Sequence, residues 1–337
     1  MMRVAMLQLL AVLFITAPAW AADPVKITVA VPGPGAGAYL PVELIKRLGA
    51  DRAEGADVKI NFVAGGGIAL EQMLTSNADF AVVGLPAAMS ARLKDPRVVA
   101  LMPANDLPLY VLMVREGLRG KVKKVADLKG LTIGVHSNSL TSKTNSHQLL
   151  DLVMAKSGVE PDNVRTVAVG QRWQSEAAML ASGDADAIMG DEPYAQRMED
   201  EKIAFPILHM GNPAHTKDIP GAGFLRATLI GRSDQIERNP KKTELMVKIL
   251  RRVLVWLAEN PPQSIVEASG MANTTEGKYS LATLKKFPRQ YSKDGKFSTK
   301  QLRETEIFFH TSQNHNPAAQ QLKLESMVVD RWAGRKD

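Results

Sequence analysis

Met73-Leu74-Thr75-Ser76-Asn77-Ala78-Asp79 runs into the apolar Phe80-Ala81-Val82-Val83 and stops at Gly84. Further along, Met179-Leu180-Ala181-Ser182-Gly183-Asp184-Ala185-Asp186 runs into Ala187-Ile188-Met189 and stops at Gly190. Each stretch reads as the end of an amphipathic helix, a tight turn, an Ala-Asp step, a short buried strand and a glycine. From methionine to glycine the two copies have equal span, with turn and strand trading one residue. Two copies of one βαβ unit imply two similar α/β lobes, and two such lobes imply a cleft between them.

Outward from the first copy, residues 26–31 alternate like a strand and end in Pro32-Gly33-Pro34-Gly35-Ala36-Gly37, a loop rich in breakers. Residues 39–48 then place Leu40, Leu44, Ile45 and Leu48 on one helical face. Strands are expected over 57–63, 79–83, 98–102 and 109–114, with a helix over 68–74 opened by Gly65-Gly66-Gly67. Around the second copy, strands are expected over 131–135, 164–169 and 185–189, with helices over 142–157 and 174–181. Residues 193–200 and 205–209 complete that unit, and 225–230 reads as a strand returning to the first lobe. The rest is mostly helical, over 241–259, 262–268, 276–287 and 299–309.

The N-terminus sets the compartment. Arg3 precedes an apolar run over residues 4–15 interrupted only by Gln8, then Pro18 and the small-x-small Ala19-Trp20-Ala21. This pattern predicts a signal peptide, residues 1–21, cleaved after Ala21. The run is shorter than the roughly 20 apolar residues a bilayer span takes. The chain has no cysteine, which excludes disulfides, thiolate metal sites, a cysteine nucleophile and a lipoprotein anchor. Its formal charge of +7 is spread over dispersed Lys and Arg without interleaved aromatics, so nucleic acid is not expected as a partner. A soluble protein of a Gram-negative periplasm, not lipid-anchored, is the expectation.

Several segments in order carry a specific resemblance. They are Gly66-Gly67-Ile68-Ala69-Leu70, Ala78-Asp79-Phe80-Ala81-Val82-Val83-Gly84, Asp127-Leu128-Lys129-Gly130-Leu131-Thr132-Ile133-Gly134-Val135, Ser157-Gly158-Val159-Glu160-Pro161-Asp162-Asn163-Val164, Ser182-Gly183-Asp184-Ala185-Asp186-Ala187 and Asp191-Glu192-Pro193. With them the sequence resembles the periplasmic solute-binding proteins of the nitrate/sulfonate/taurine type, which include thiamine-precursor binders. The resemblance implies an α/β, type II periplasmic binding protein fold. Two Rossmann-like lobes would be joined by two crossover strands, near 107–112 and 224–230, with the ligand cleft between them. Residues 22–110 and 226–337 would form lobe one, and 111–225 lobe two. It further implies capture of a small molecule by hinge closure, an ABC permease of the inner membrane as partner, a monomer, and neither metal nor organic cofactor. The amide-rich helix starts point to a small organic anion such as a sulfonate or taurine. A ligand sensor or adaptor lobe for a membrane receptor, and pyrimidine-precursor binding or processing, are the alternatives.

Ligands of open α/β sheets sit beyond the carboxyl ends of strands, where loops lead into helix N-termini. Three loops fit: Gly33 to Tyr39, with Gly37 and Tyr39 as candidates; Gly65-Gly66-Gly67-Ile68, with Gly66, Gly67 and Ile68; and Ser137-Asn138-Ser139-Leu140-Thr141-Ser142, with Ser139, Thr141 and Ser142. Unpaired N–H groups at helix starts hold anionic oxygens without a formal cation, although Ser or Thr before a helix also serves as a plain cap. Leu85, just past Gly84, is a further candidate. Arg172 is placed to pair with an acidic group, and Trp173 to form a stacking wall. Asp191 either grips an ammonium or amidine group or caps a helix that begins at Pro193.

Reactive constellations are missing. The six histidines show no metal-ligand pairing at i, i+4 and no HExxH, and no G-x-S-x-G elbow exists. The glycines after the first strand do not match G-x-G-x-x-G, and the second strand lacks the ribose-binding acid. A catalyst is therefore not expected.

Overall fold

The computed structural model describes residues 23–136 and 143–336. The expected signal peptide and the loop holding Ser139, Thr141 and Ser142 lie outside the described residues.

The first sheet contains β1 (Val25–Pro32), β2 (Ala56–Val63), β3 (Phe80–Gly84) and β4 (Val98–Pro103). The second contains β5 (Tyr110–Arg115), β6 (Thr132–His136), β7 (Arg165–Val169), β8 (Ala187–Asp191) and β9 (Ala204–His209). The last long strand, β10 (Ala227–Arg232), returns to the first sheet. The orders are β2-β1-β3-β10-β4 and β7-β6-β8-β5-β9. In both sheets three parallel strands are followed by an antiparallel one: β10 on β3, pairing Ala227 with Gly84, and β5 on β8, pairing Val111 with Gly190. The two repeat-ending glycines thus face equivalent antiparallel strands. This is the doubled architecture of a type II periplasmic binding protein.

Burial explains the strand sequences. Strands covered by helices on both faces read as unbroken apolar runs rather than alternating ones, and every residue of β3, β4, β8 and β10 is buried. Alternation survives only in which layer each residue meets. Leu112 and Val114 of β5 join the cluster that includes Leu149, Leu150 and Val153 of the helix Asn145–Lys156. Val111 and Met113 point the other way, into the cluster with Trp173, Tyr194 and Met198. On the first sheet the longest helix, Pro240–Glu259, is started by Asn239, whose side chain accepts from the Lys242 amide. It buries Met246, Ile249, Leu250, Val253 and Leu257 on one face.

Two starts differ from the sequence reading. A helix, Leu85–Arg92, follows β3 directly with Pro86 in its first turn; its short Pro-Ala-Ala stretch carries too few large apolar residues to show helical periodicity. The helix expected from 142 begins at Asn145.

The helix Thr299–Ser312 joins the two cores. Leu302 and Phe309 belong to the first lobe's cluster, whereas Phe308 belongs to the second's. Phe308 stacks on Phe224, with ring centroids 4.1 Å apart, and the Thr305 hydroxyl accepts from the Leu225 amide at 2.8 Å. Gly221, at a φ of +66°, lies so close to this helix that a Cβ would collide with the Glu304 carbonyl. A side chain there is barred both by space and by the left-handed backbone.

Candidate functional site

The parallel strands of both sheets end at one place, where the lobes meet. The Gln171 amide donates to the Ala64 carbonyl at 3.4 Å, and the Arg172 guanidinium donates to the Gly33 carbonyl at 3.2 Å. Asn145, first residue of a second-lobe helix, accepts from the Ala87 amide of the first lobe at 2.9 Å. A Cβ on Gly37 would sit 3.1 Å from the Glu192 carbonyl. The cleft is shut, and glycine is what lets the backbones approach.

Within it lies a buried polar cluster. Arg226, in the connection leading into β10, is 2% exposed and stacks its guanidinium 4.2 Å from the Tyr110 ring centroid. It forms an ion pair with Asp191, at the end of β8, and Gln171 Nε2 donates to the same carboxylate oxygen at 2.9 Å. Tyr39 is buried in the field of Arg226; burial raises its phenol above the usual range, opposed by that charge. Beside these, His136 at the end of β6 and Glu176 in the first turn of the helix Trp173–Ser182 are joined by a 2.9 Å hydrogen bond. Burial pushes the Glu176 carboxyl up to about 8, with Arg226 opposing, and pushes His136 down to about 3, with Arg226 adding to the effect. Burial thus favours the uncharged form of each. Asp191 Oδ1, Glu176 Oε2 and Arg226 Nε have no hydrogen-bond partner in the protein. Buried polar groups ordinarily have one.

The candidates from sequence divide accordingly. Tyr39 and Asp191 are in the cluster. Asp191 does not cap a helix: the helix Tyr194–Asp200 has no side-chain cap, and Glu192 Oε2 takes the Gln196 amide at 3.2 Å. Gly37 stands at the lobe contact, with its carbonyl accepting from the Tyr291 hydroxyl at 2.6 Å. Leu85 is wholly buried, its amide bound to the Arg226 carbonyl at 3.0 Å. Gly66, Gly67 and Ile68 open the helix Gly66–Leu74, next to the Ala64 contact, and Gly67 also lines an outer groove of about 600 Å³ with Leu70, Ala87 and Lys143.

Two expectations change. Arg172 meets a backbone carbonyl rather than an acid and fastens the lobes at the cleft mouth. Trp173 is no cleft wall: its position opening a helix turns the indole into the second-lobe core, where Arg197 stacks on it at 3.8 Å and Tyr194 lies 6.2 Å away. Arg226, Tyr110, His136 and Glu176 were not anticipated. Arg226 left a readable trace as the lone charge in Phe224-Leu225-Arg226-Ala227-Thr228-Leu229, since a charge in an apolar strand needs a buried partner. Glu176 in a helical first turn gives no such trace.

The NMT1/THI5 like family model matches residues 51–264, which take in β2 to β10 and so strands of both sheets. The chain belongs to this family. No curated protein matches the sequence. Among solved structures, this NMT1/THI5-like protein is similar to a Bordetella bronchiseptica protein at 21% identity, covering 92% of this chain and 96% of that one, with a TM-score of 0.82. It is similar to the alkanesulfonate-binding protein SsuA of Xanthomonas axonopodis pv. citri at 14% identity, 92% and 99% coverage and a TM-score of 0.72. The desulfurization enzyme DSZB shares the fold at 14% identity, 91% and 97% coverage and a TM-score of 0.59. The fold thus serves binding proteins and an enzyme alike. Among the described residues no group of three or more His, Cys, Asp or Glu is placed to hold a metal ion, and no helix is long and apolar enough to cross a membrane.

Proposed function

We propose that this NMT1/THI5-like protein is the periplasmic solute-binding component of an ABC importer. It captures a small organic anion, sulfonate-like or taurine-like, by closing its lobes, and presents the shut form to an inner-membrane permease. It acts as a monomer that is not lipid-anchored. The observation that carries this reading is the buried cluster assembled across the lobe contact. Asp191, His136 and Glu176 come from the second lobe, Tyr39 from the first, and Arg226 from the connection between them.

A site that exists only when two bodies meet is suited to trapping a solute, because opening and closing expose and bury the same groups. The Arg226 guanidinium, whose Nε has no partner in the protein, supplies a donor for an oxyanion. The His136–Glu176 contact favours one competing reading, acid–base catalysis on a bound pyrimidine, because both members are within proton-transfer distance of each other.

Thermal unfolding against ethanesulfonate, taurine, nitrate and pyrimidines tests the choice. A ligand at about 100 times its dissociation constant adds roughly 2.7 kcal/mol of stability. The expected result is a shift with an anion and full recovery of unaltered ligand. Turnover of a pyrimidine would replace the import reading, and a flat panel would remove it.

A further inference from the structure

The His136–Glu176 pair raises a question of charge. Arg226 is already neutralised by Asp191, and Gln171 completes that carboxylate's contacts on one oxygen. The remaining titratable groups facing the pair come from several elements. Tyr110 of β5 lies 6.5 Å from His136, ring to ring. Tyr39 stands across the lobe contact, and Tyr194 belongs to the helix after β8; both are phenols whose ionisation burial disfavours further. On the helix Asn145–Lys156, Ser146 accepts from the His136 amide at 2.9 Å, while His147 lies 3.8 Å from Asp151. Among the described residues of these elements, Arg226 is the cation whose field reaches the pair. If the pair entered the shut cleft as imidazole and carboxylate, it would add one buried negative charge. An anionic ligand would add another, and buried like charges without compensation are strongly disfavoured.

We propose that the cleft takes up a proton together with its anionic ligand, held between His136 and Glu176 as the lobes shut. This deepens the import reading and rests on it. The geometry fits: the two side chains are 4% and 0% exposed, they share one 2.9 Å contact, and Gly190 leaves room for the second carboxylate oxygen, which a Cβ would approach to 2.9 Å. Both groups are buried, which penalises charge on either, and one proton on the pair is its neutral state.

The pH window follows from the pair as a unit. Opened to water, its members have the usual values, 6.5 for the imidazole and 4.5 for the carboxyl, so the open pair keeps its single proton only up to about 6.5. In the shut form burial holds one proton on the pair up to about 8. Closing is therefore proton-neutral between roughly 4.5 and 6.5, and takes up a proton between roughly 6.5 and 8. Affinity is flat in the lower window and falls with rising pH in the upper one, by up to about tenfold per pH unit for one proton.

The test is isothermal titration of the full protein with ethanesulfonate and with nitrate, anions that carry no titrating group of their own in this range. Each is run in phosphate and in Tris, whose ionisation enthalpies differ, at about pH 7.5 and about pH 5.5. The difference in heat between buffers counts protons. The expected result is uptake approaching one proton at the higher pH and none at the lower. Glu176→Gln should abolish the uptake at the higher pH. His136→Gln should retain it and extend it to the lower pH, because a lone carboxyl opens at its usual 4.5. A merely structural role for the pair would not produce that opposite behaviour. Equal heats in both buffers with flat affinity between about pH 6 and 8 would overturn the proposal while leaving import intact. Persistence of the uptake in Glu176→Gln would overturn it as well. Binding of neither anion, in protein shown to be folded, would overturn the anion-import reading and the proposal with it.

Discussion

The two repeat-ending glycines occupy the same place in the two lobes and are used differently. Gly84 ends β3, and a Cβ there would collide with the Asn145 side chain, which reaches across from the second lobe. Gly190 stands in β8, and a Cβ there would crowd Glu176, from the same lobe. One glycine makes room for the partner lobe, and the other makes room for a buried acid. The difference extends to the whole cleft. The first lobe offers backbone, from Gly33 to Tyr39 and Gly65 to Ile68, whereas the second offers titratable side chains at the ends of β6 and β8. The frame is doubled, but the His, Glu and Asp side chains of the cluster all come from one side of it.

That contrast can be broken at several points. The largest effects lie in the helix shared by both cores. Phe308→Ala and Phe309→Ala should each cost about 3–5 kcal/mol in denaturant unfolding. Phe308→Ala should act first on the second lobe and Phe309→Ala on the first, read by hydrogen exchange of β6 and β1 amides. Identical exchange patterns would show that the lobes unfold as one. Next, Arg226→Met strands Asp191 in the shut form. Breaking a buried pair on one side costs about 3–5 kcal/mol, so ligand affinity should fall by two orders of magnitude or more. An affinity within tenfold of the parent would exclude Arg226 from the site.

Alanine at the paired glycines sharpens the comparison more directly. Overpacking costs about 1–3 kcal/mol. In Gly84→Ala this cost should fall on closure, weakening binding with little change in the unliganded unfolding midpoint, and Asn145→Gly should relieve it. In Gly190→Ala it should fall on the second lobe itself and lower that midpoint. The reverse assignment would contradict the geometry. The smallest effect is expected at the exposed cleft mouth, where Arg172→Ala loses one hydrogen bond. A typical net value of about 1 kcal/mol predicts roughly fivefold weaker binding and unchanged stability.

The repeat was legible because buried parallel strands write themselves as apolar runs. Phe80 to Gly84 and Ala187 to Gly190 could be found without any long-range knowledge, as could the breakers that close them. The glycine loops and Asp191 were legible for a related reason, since the ends of such strands are where ligands go. His136 and Glu176 were not, and Arg226 showed only as a lone charge in an apolar stretch, because their meaning lies in pairs. Arg226 finds Asp191 thirty-five positions back along the chain, and His136 finds Glu176 forty positions ahead. No local pattern encodes such a meeting. Trp173 shows the opposite failure: its position beside the cleft was readable, but its direction was decided by Arg197 of a later helix.

Phe308 and Phe309 carry a consequence for the order in which the molecule can be assembled. They sit on adjacent positions of one helix and complete different cores. Either lobe can begin to collapse as soon as its strands are present, but neither can finish until the helix Thr299–Ser312 arrives. One helix thus completes both cores, and whatever loosens it loosens both halves at once.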